Sequence, residues 1–162
     1  MKKHLLLVAI LFASCVEQKQ EPKTAGYSIR GEEESYMIGS DETTDFIRKW
    51  ADAHNERDME TILSMEKADI KIELPDGTVI NGQDEHSKVL ESFFANNVTW
   101  KPYWMLPYNS VKAQEKWIIA GFALTSNVDG EENVVLHMGD IQLEDGLVSR
   151  IIVYENQRPK KQ

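Results

Sequence analysis

The chain has almost no cysteine. Cys15 is the only one among 162 residues, so no internal disulfide can form and stability has to come from an apolar core. The content of 41% hydrophobic and 9% aromatic residues suits such a core. The length allows one ordinary domain with additional segments at its ends.

Long hydrophobic runs are also missing. The apolar stretch from Leu5 to Ala13 has nine residues, whereas a membrane-spanning helix needs about 20. This stretch follows a basic start with Lys2 and Lys3 and ends at a small residue, Ser14. A basic start, a short apolar segment and a small residue at the cut are typical of a secretory signal. We therefore predict a signal peptide over residues 1–14.

The residues around the lone cysteine carry a more specific pattern. Phe12-Ala13-Ser14-Cys15 resembles the lipobox of bacterial lipoproteins, with Phe12 where an aliphatic residue is usual. The resemblance implies that Cys15 becomes an acylated N-terminus carrying chains such as palmitate, because stable anchoring needs more than one chain. The expected location is the cell envelope, as an outer-membrane lipoprotein facing the periplasm or the cell surface. A plain signal peptide with a stray cysteine and a buried apolar N-terminus are the alternatives.

Positive charge is scarce. Lys and Arg number 18 against 27 Asp and Glu, for a net charge of −9. Loss of residues 1–14 would remove two of these lysines, Lys2 and Lys3, and make the charge more negative. Such a charge argues against nucleic acid as a partner, since phosphates would be repelled. It also argues against electrostatic attraction to an anionic membrane. Lipid on Cys15 would therefore hold the protein at the bilayer.

Composition divides the chain into segments. Residues 15–40 are polar and show neither helical nor strand periodicity, so we predict a lipidated cysteine followed by a flexible tether. Residues 157–162 form a basic, polar tail. The patterned sequence between them, 41–156, is the predicted domain.

Three helices are expected in the first half of this domain. The first opens near Asp41 or Thr43, either of which can cap it. A short second helix follows over Met59–Met65, and a third runs from about Gln83 to Asn96. Apolar residues and histidines at spacings of three and four define the inner faces, which are Phe46, Ile47, Trp50, Ala53 and His54 in the first helix and His86, Val89, Leu90, Phe93 and Phe94 in the third.

Strands dominate the second half. Asp69–Leu74 alternates as a strand and turns back through Pro75-Asp76-Gly77 onto Thr78–Ile80. Four further strands are expected, with Asp129-Gly130 and Asp145-Gly146 as hairpin turns: Val98–Tyr108, Glu115–Asn127, Asn133–Glu144 and Leu147–Asn156. Helices followed by a long sheet define an α+β domain.

This order of elements resembles the nuclear transport factor 2-like (NTF2-like, or SnoaL-like) fold. The supporting segments are 50–59 with its Asn-x-x-Asp turn, 65–77, 82–86 and 140–148. The resemblance implies a cone-shaped α+β barrel in which a curved antiparallel sheet wraps around three N-terminal helices. It further implies a small, mostly apolar ligand at the open end and an outer sheet face that pairs two subunits. The family contains isomerases, dehydratases, cyclases, hydrolases and binders without chemistry, so fold alone selects none of them.

The ketosteroid isomerase branch offers a residue-by-residue test. Its chemistry needs a carboxylate base and two neutral hydrogen-bond donors. The resemblance aligns the helix-one tyrosine with Trp50, the strand aspartate with Leu74 and the second acid with the neighbourhood of Gly139, where Asp140 is one step out of phase. Leu74 cannot abstract a proton. We therefore expect ketosteroid isomerisation to be absent.

Three histidines are the candidate polar groups of the pocket. His54, His86 and His137 each fall on a predicted inner face, and His86 and His137 are the candidate catalytic bases. Glu73 or Asp140 could orient one of them. A structural histidine bonded to the backbone is the alternative for each. Their separation in sequence gives no metal-ligand spacing, so neither a metal nor a cofactor is expected.

Aromatic residues are concentrated over 100–108. Alternation places Trp100, Trp104, Leu106 and Tyr108 on one strand face, either as a pocket wall or as core and dimer packing. The complete predicted ligand-binding set is Trp50, His54, Leu74, His86, Phe93, Trp104, Trp117 and His137.

Three functions remain open on the sequence alone. The leading hypothesis is a membrane-anchored, non-catalytic binder of a small apolar molecule that forms a homodimer through its sheet. The alternatives are a lyase, isomerase or hydrolase with a histidine base, and a protein-interaction module that uses the sheet face.

Overall fold

The computed structural model describes residues 23–28, 34–128 and 130–156, and only the backbone of Val128. The predicted signal peptide, Cys15, the basic tail and the first residue of the Asp129-Gly130 turn lie outside these residues. Within the described ranges, no helix is long and apolar enough to cross a bilayer.

Three helices and eight strands make up the domain. The helices are α1 (Asp41–Glu56), α2 (Met59–Ser64) and α3 (Gly82–Ala95). The strands are β1 (Ala25–Ser28), β2 (Glu34–Ile38), β3 (Glu66–Glu73), β4 (Val79–Asn81), β5 (Thr99–Ser110), β6 (Lys116–Val128), β7 (Glu131–Glu144) and β8 (Leu147–Asn156). The predicted α+β class is confirmed.

The strands form one mixed sheet in the order β1-β2-β5-β6-β7-β8-β3-β4, and the sheet is not closed. All pairings are antiparallel except that of β3 with β8. The expectation of a purely antiparallel sheet is therefore corrected at this pair. The reason is topological. β8 is the last strand of the antiparallel meander β5 to β8, and it lies beside β3 and runs in the same direction.

Part of the predicted tether is structured. β1 and β2 lie within residues 15–40, and β2 pairs with the edge of β5 from Tyr36↔Ser110 to Ile38↔Tyr108. The Glu34 carboxylate also accepts hydrogen bonds from the backbone N–H groups of Val111, Lys112 and Ala113 at 2.9–3.0 Å. These bonds satisfy backbone N–H groups of the loop that joins β5 to β6. Hydrophobic periodicity does not report such pairing.

The core lies between the helices and the inner face of the sheet. The predicted inner face of α1 is confirmed, with Ile47, Trp50, Ala53 and His54 all buried. β7 contributes Gly139, Ile141 and Leu143 to the same side, as its alternation predicts. The fully buried large side chains are Ile47, Ile62, Ile70, Leu90, Ile118, Ile141 and Val148.

A bulge in β5 determines which aromatic residues face inward. Trp100 pairs with Leu124 and Pro102 with Phe122, but the register then shifts so that Trp104 lies opposite Gly121. The extra residue reverses the alternation. A side chain on Gly121 would overlap the rings of both Tyr103 and Trp104, which cover it from the outer face. Trp100 therefore faces inward while Trp104 faces outward.

Candidate functional site

The turn after α1 fixes one wall of the site. Asn55 donates from Nδ2 to the Trp100 carbonyl and accepts from the Trp100 N–H, both at 2.8 Å. Asp58 caps α2 by accepting from the Thr61 N–H at 3.0 Å. The two polar residues of the Asn-x-x-Asp turn thus have separate tasks. One ties α1 to β5 at Trp100, and the other starts the next helix.

An inner pocket of about 110 Å³ opens beside Trp100, between α1, α3 and the inner sheet face. Its walls are mainly apolar, and its polar lining groups are imidazoles. An apolar cavity of about 150 Å³ holds benzene, so this smaller but open pocket suits a compact molecule of no more than one ring. The lining residues are His54, Ile72, Leu74, Ile80, His86, Val89, Leu90, Phe93, Trp100, Leu124, His137, Ile151 and Val153.

A buried carboxylate orients one of these histidines. The Glu66 carboxylate accepts from the Trp50 indole N–H at 2.8 Å and from His86 Nδ1 at 2.9 Å. Glu66 is 3% exposed and His86 is 5% exposed, so water screens these bonds little. Gln83 donates to the Glu66 carbonyl at 2.9 Å and holds the start of α3 against β3. With Nδ1 engaged, the Nε2 atom of His86 remains for other contacts.

His54 is the second polar group at this end of the pocket. Its Nδ1 lies 2.7 Å from the Trp50 carbonyl oxygen, so Nδ1 carries the hydrogen. Burial, with a smaller contribution from the nearby His86, lowers the pKa of His54 to about 4. His54 is therefore neutral near pH 7, and its Nε2 atom is an acceptor.

Both Nε2 atoms reach the pocket. Neither has a partner among the described residues, and in the same residues no fully buried side-chain nitrogen or oxygen is left unpaired. The two Nε2 atoms must therefore contact the pocket space. The third histidine, His137, is half-buried near the pocket rim, with Nε2 3.3 Å from Glu155 Oε2.

The structure brings together five members of the predicted ligand-binding set: His54, Leu74, His86, Phe93 and His137. Leu74 supplies an apolar wall where a carboxylate base would be required, and none of the described lining residues is acidic.

The other three members lie elsewhere. Trp50 is buried beneath the pocket, where it binds Glu66. Trp104 and Trp117 lie on the outer sheet face. The bulge turns Trp104 outward. Trp117 is next to the inward Ile118 in β6, so its side chain points to the other face. Their predicted place in the pocket is corrected.

The two acids that the sequence suggested as partners of a histidine, Glu73 and Asp140, bond to other side chains. Glu73 bonds Arg150 at 2.6 and 2.9 Å, and Asp140 accepts from the Tyr108 hydroxyl at 2.7 Å on the outer face. Sequence reasoning missed Glu66 and omitted Trp100 from the ligand set. Glu66 has the same parity as the inward Ile70 and Ile72, but Ala68 between them is exposed and the register of β3 shifts there, so simple alternation does not signal Glu66.

A larger groove of about 710 Å³ lies on the outer face. Tyr108 and Trp117 stack at 6.4 Å in it, beside the Tyr108–Asp140 hydrogen bond. Burial raises the pKa of Asp140 above its ordinary value, and the bond from Tyr108 and the charge of Arg150 oppose the shift. Burial and the Asp140 carboxylate also raise the pKa of Tyr108.

The fold and the inner pocket define a class of protein: α+β domains with a sheet over three helices and a pocket between them. No family model and no curated protein matches this sequence. Solved structures do match. SalBIII, described as an epoxide hydrolase/cyclase-like enzyme in pyran ring formation of the polyether salinomycin, is 16% identical with a TM-score of 0.62. That match covers 72% of this chain and 92% of SalBIII.

Two further structures are similar. One from Kribbella flavida, provisionally assigned as a ketosteroid isomerase, is 18% identical with a TM-score of 0.61, covering 77% of this chain and 85% of that one. An NTF2-like protein of unknown function from Cytophaga hutchinsonii is 14% identical with a TM-score of 0.55, covering 70% and 89%. The chain has the NTF2-like fold, as its segment order indicates.

Proposed function

We propose that this domain binds a small, largely apolar molecule in the inner pocket and holds its polar group at Nε2 of His86 and His54. The observation that carries the proposal is a pair of buried imidazoles at the end of an otherwise apolar pocket. Neutral His54 offers an acceptor, and Nε2 of His86 is an acceptor as long as that ring is neutral. A ligand with a hydroxyl donor therefore fits better than one without.

Phenol and toluene test this proposal because they have nearly the same shape and differ in the hydroxyl group. Calorimetric titration of the full chain should show tighter binding of phenol. His86→Ala should weaken phenol binding about 5- to 150-fold, the equivalent of about 1–3 kcal/mol for a lost buried hydrogen bond. Toluene binding should change little.

Trp104→Ala is the matched control, since it removes an aromatic ring from the outer face. Both affinities should stay as they are in the unsubstituted protein. Equal loss of phenol and toluene in His86→Ala would mean that the histidine supports the wall and does not bind the hydroxyl. Loss of phenol binding in Trp104→Ala would mean that the ligand binds at the outer sheet face.

Proton transfer is the second candidate function, and the Glu66–His86 pair favours it. A carboxylate that holds Nδ1–H fixes the imidazole tautomer and leaves Nε2 as a base. The reaction class would be abstraction of a proton next to a carbonyl or from a hydroxyl. The alternative function is therefore that of an isomerase, lyase or hydrolase that uses His86 as its base.

Deuterium exchange at the α-carbon of cyclohexanone, followed by proton NMR, tests the second candidate. The full chain should accelerate exchange, His86→Ala should abolish the acceleration and Glu66→Gln should reduce it. Exchange at the buffer rate would exclude this candidate and leave the binding proposal standing.

The outer face supports a homodimer. It exposes Trp104 (37%), Leu106 (45%), Met138 (38%) and Tyr154 (54%), and an apolar patch of this kind usually marks an interface. The proposed partner is a second copy related by a two-fold axis. Sedimentation should show a dimer at tens of micromolar, and Met138→Glu should shift it to a monomer. A monomer in the unsubstituted protein contradicts the proposal.

Lipid on Cys15 is the proposed anchor, and its support is the short signal followed by the lone cysteine. Mass spectrometry of the mature protein should find an acylated N-terminal Cys15. Cys15→Ser should release the protein from envelope membranes. A mature protein that begins at another residue contradicts the proposal.

A further inference from the structure

We propose that His54, Glu66 and His86 form a binding site for a divalent transition-metal ion of the Zn²⁺ class at the closed end of the inner pocket. This inference goes beyond small-molecule binding and does not depend on it. Its basis is the juxtaposition of three ligand residues, two histidines and one glutamate, that no spacing in the sequence brings together.

The distances suit a metal site after a small contraction. One potential ligand atom of each residue lies within 4.8 Å of those of the other two. Metal–ligand bonds of about 2.0–2.1 Å place tetrahedral ligands roughly 3.3 Å apart, so shifts of about 1 Å suffice. His86 Nδ1 and Glu66 Oε2 are already 2.9 Å apart. An ion between them takes the place of the hydrogen on Nδ1, and that hydrogen moves through water to Nε2, so that His86 binds as a neutral imidazole.

The donor set is that of a catalytic zinc site. Two imidazole nitrogens and one carboxylate oxygen are three protein ligands, and a fourth position stays open for water or a bound molecule. Imidazole and carboxylate also select against Ca²⁺ and Mg²⁺, which prefer all-oxygen sites. The carboxylate supplies the one negative charge of the cluster.

The groups around the ligands are those that a metal site needs. His54 donates its Nδ1 hydrogen to the Trp50 carbonyl at 2.7 Å, which directs Nε2 toward the cluster. The other oxygen of Glu66, Oε1, accepts from Trp50 Nε1 at 2.8 Å. Such outer bonds orient metal ligands and are worth about 10- to 100-fold in metal affinity. Trp50 supplies both.

The pocket provides access. His54 and His86 line it directly, so an ion can arrive from the rim past half-buried side chains. The open coordination position would face the apolar pocket. A small molecule with an oxygen donor would then bind the ion directly, with its apolar body against Trp100 and Leu90.

Calorimetry with ZnCl₂ alone, on full-length protein freed of metal by a chelator, tests the inference. We expect one Zn²⁺ per chain with a Kd below about 100 µM. His54→Ala and Glu66→Gln should each weaken binding at least about 10-fold. Glu73→Gln, the matched change on the same strand, should leave it unchanged, since that carboxylate bonds Arg150 and lies outside the cluster.

Co²⁺ substitution keeps the test decisive if a variant fails to fold. The unsubstituted protein should give the intense visible bands of tetrahedral Co²⁺, and Zn²⁺ should abolish them. Absence of binding below about 100 µM, or Co²⁺ spectra of an octahedral ion only, overturns the proposal. Zn²⁺ affinity that survives both His54→Ala and Glu66→Gln, or that disappears in Glu73→Gln, also overturns it. Phenol titration in the presence of chelator remains independent, so the two proposals can fail separately.

Discussion

The two faces of the same sheet carry two different concavities. The inner pocket is small, about 110 Å³, and its polar groups are buried. The outer groove is about 710 Å³ and is rimmed by Glu34, Lys112 and Arg150, with the half-buried Tyr108–Asp140 pair in it. Each face contains a carboxylate that accepts a hydrogen bond from an indole: Glu66 from Trp50 inside, and Glu115 from Trp117 outside.

The comparison shows how burial changes the contribution of the same kind of hydrogen bond to stability. The inner bond is 2.8 Å and the outer one 3.0 Å, so their lengths hardly differ. Water replaces the outer partner when the bond breaks, whereas nothing replaces the inner one. The inner face is therefore the place where single side chains have large effects on stability and on chemistry.

The largest difference is expected between Glu66→Ala and Glu115→Ala. Removal of Glu66 leaves the Trp50 and His86 donors buried without an acceptor, which costs about 3–5 kcal/mol of unfolding free energy. Removal of the exposed Glu115 should cost less than about 0.5 kcal/mol. Urea denaturation followed by circular dichroism measures both. Similar losses of unfolding free energy in the two variants would contradict the proposed difference between the two faces.

Asn55→Ala should have the next largest effect. It removes two bonds that tie α1 to the Trp100 backbone at the pocket wall, at a cost of about 1–3 kcal/mol. Trp100 should gain freedom, with a red shift in tryptophan emission. Asn96→Ala is the control, because its amide bonds only the nearby Ser92 carbonyl at the exposed end of α3. An equal loss in both variants would contradict a special role for Asn55.

Asp140→Asn on the outer face should stabilise the protein slightly. Burial raises the folded-state pKa of Asp140, so the native state binds this proton more tightly than the unfolded chain. The charged form is therefore unfavourable at neutral pH, and stability from this group grows as pH falls through the raised pKa. Asn can still accept from Tyr108. We expect a gain below about 1 kcal/mol at pH 7 and none from Asp52→Asn on exposed α1, both measured by urea titration.

The smallest expected effect is local and concerns β2. Backbone N–H bonds, that of Lys112 first, lower the pKa of Glu34 below its ordinary 4.5. Its contribution is therefore complete above pH 4.5 and is lost as pH falls through the lowered folded-state pKa. Amide hydrogen exchange should show β2 losing protection in that acid range while β6 keeps it. In Glu34→Ala, β2 should be weakly protected at every pH. Equal loss of protection in β2 and β6 would contradict a local role of the Glu34 hydrogen bonds in holding β2.

Much of the architecture could be predicted because it depends on local periodicity. The helix faces of α1 and α3, the Pro75–Gly77 hairpin and the four long strands β5 to β8 follow from spacings of two, three and four. Backbone pairing at an edge leaves no such periodicity, which is why β1 and β2 were assigned to a tether. A single bulge in β5 was enough to move Trp104 from the expected wall to the opposite face.

The sequence by itself determined the α+β order of elements, the inward parity of His54, His86 and His137, and the loss of a carboxylate at Leu74. Only the tertiary structure decided which acid meets which histidine. Glu66 lies 20 residues from His86 and 16 from Trp50 along the chain, so their contact depends on how α1 and α3 pack onto β3. The sequence gives the chemistry of each side chain, but only the packing of α1 and α3 onto β3 brings Trp50, Glu66 and His86 together in one buried site.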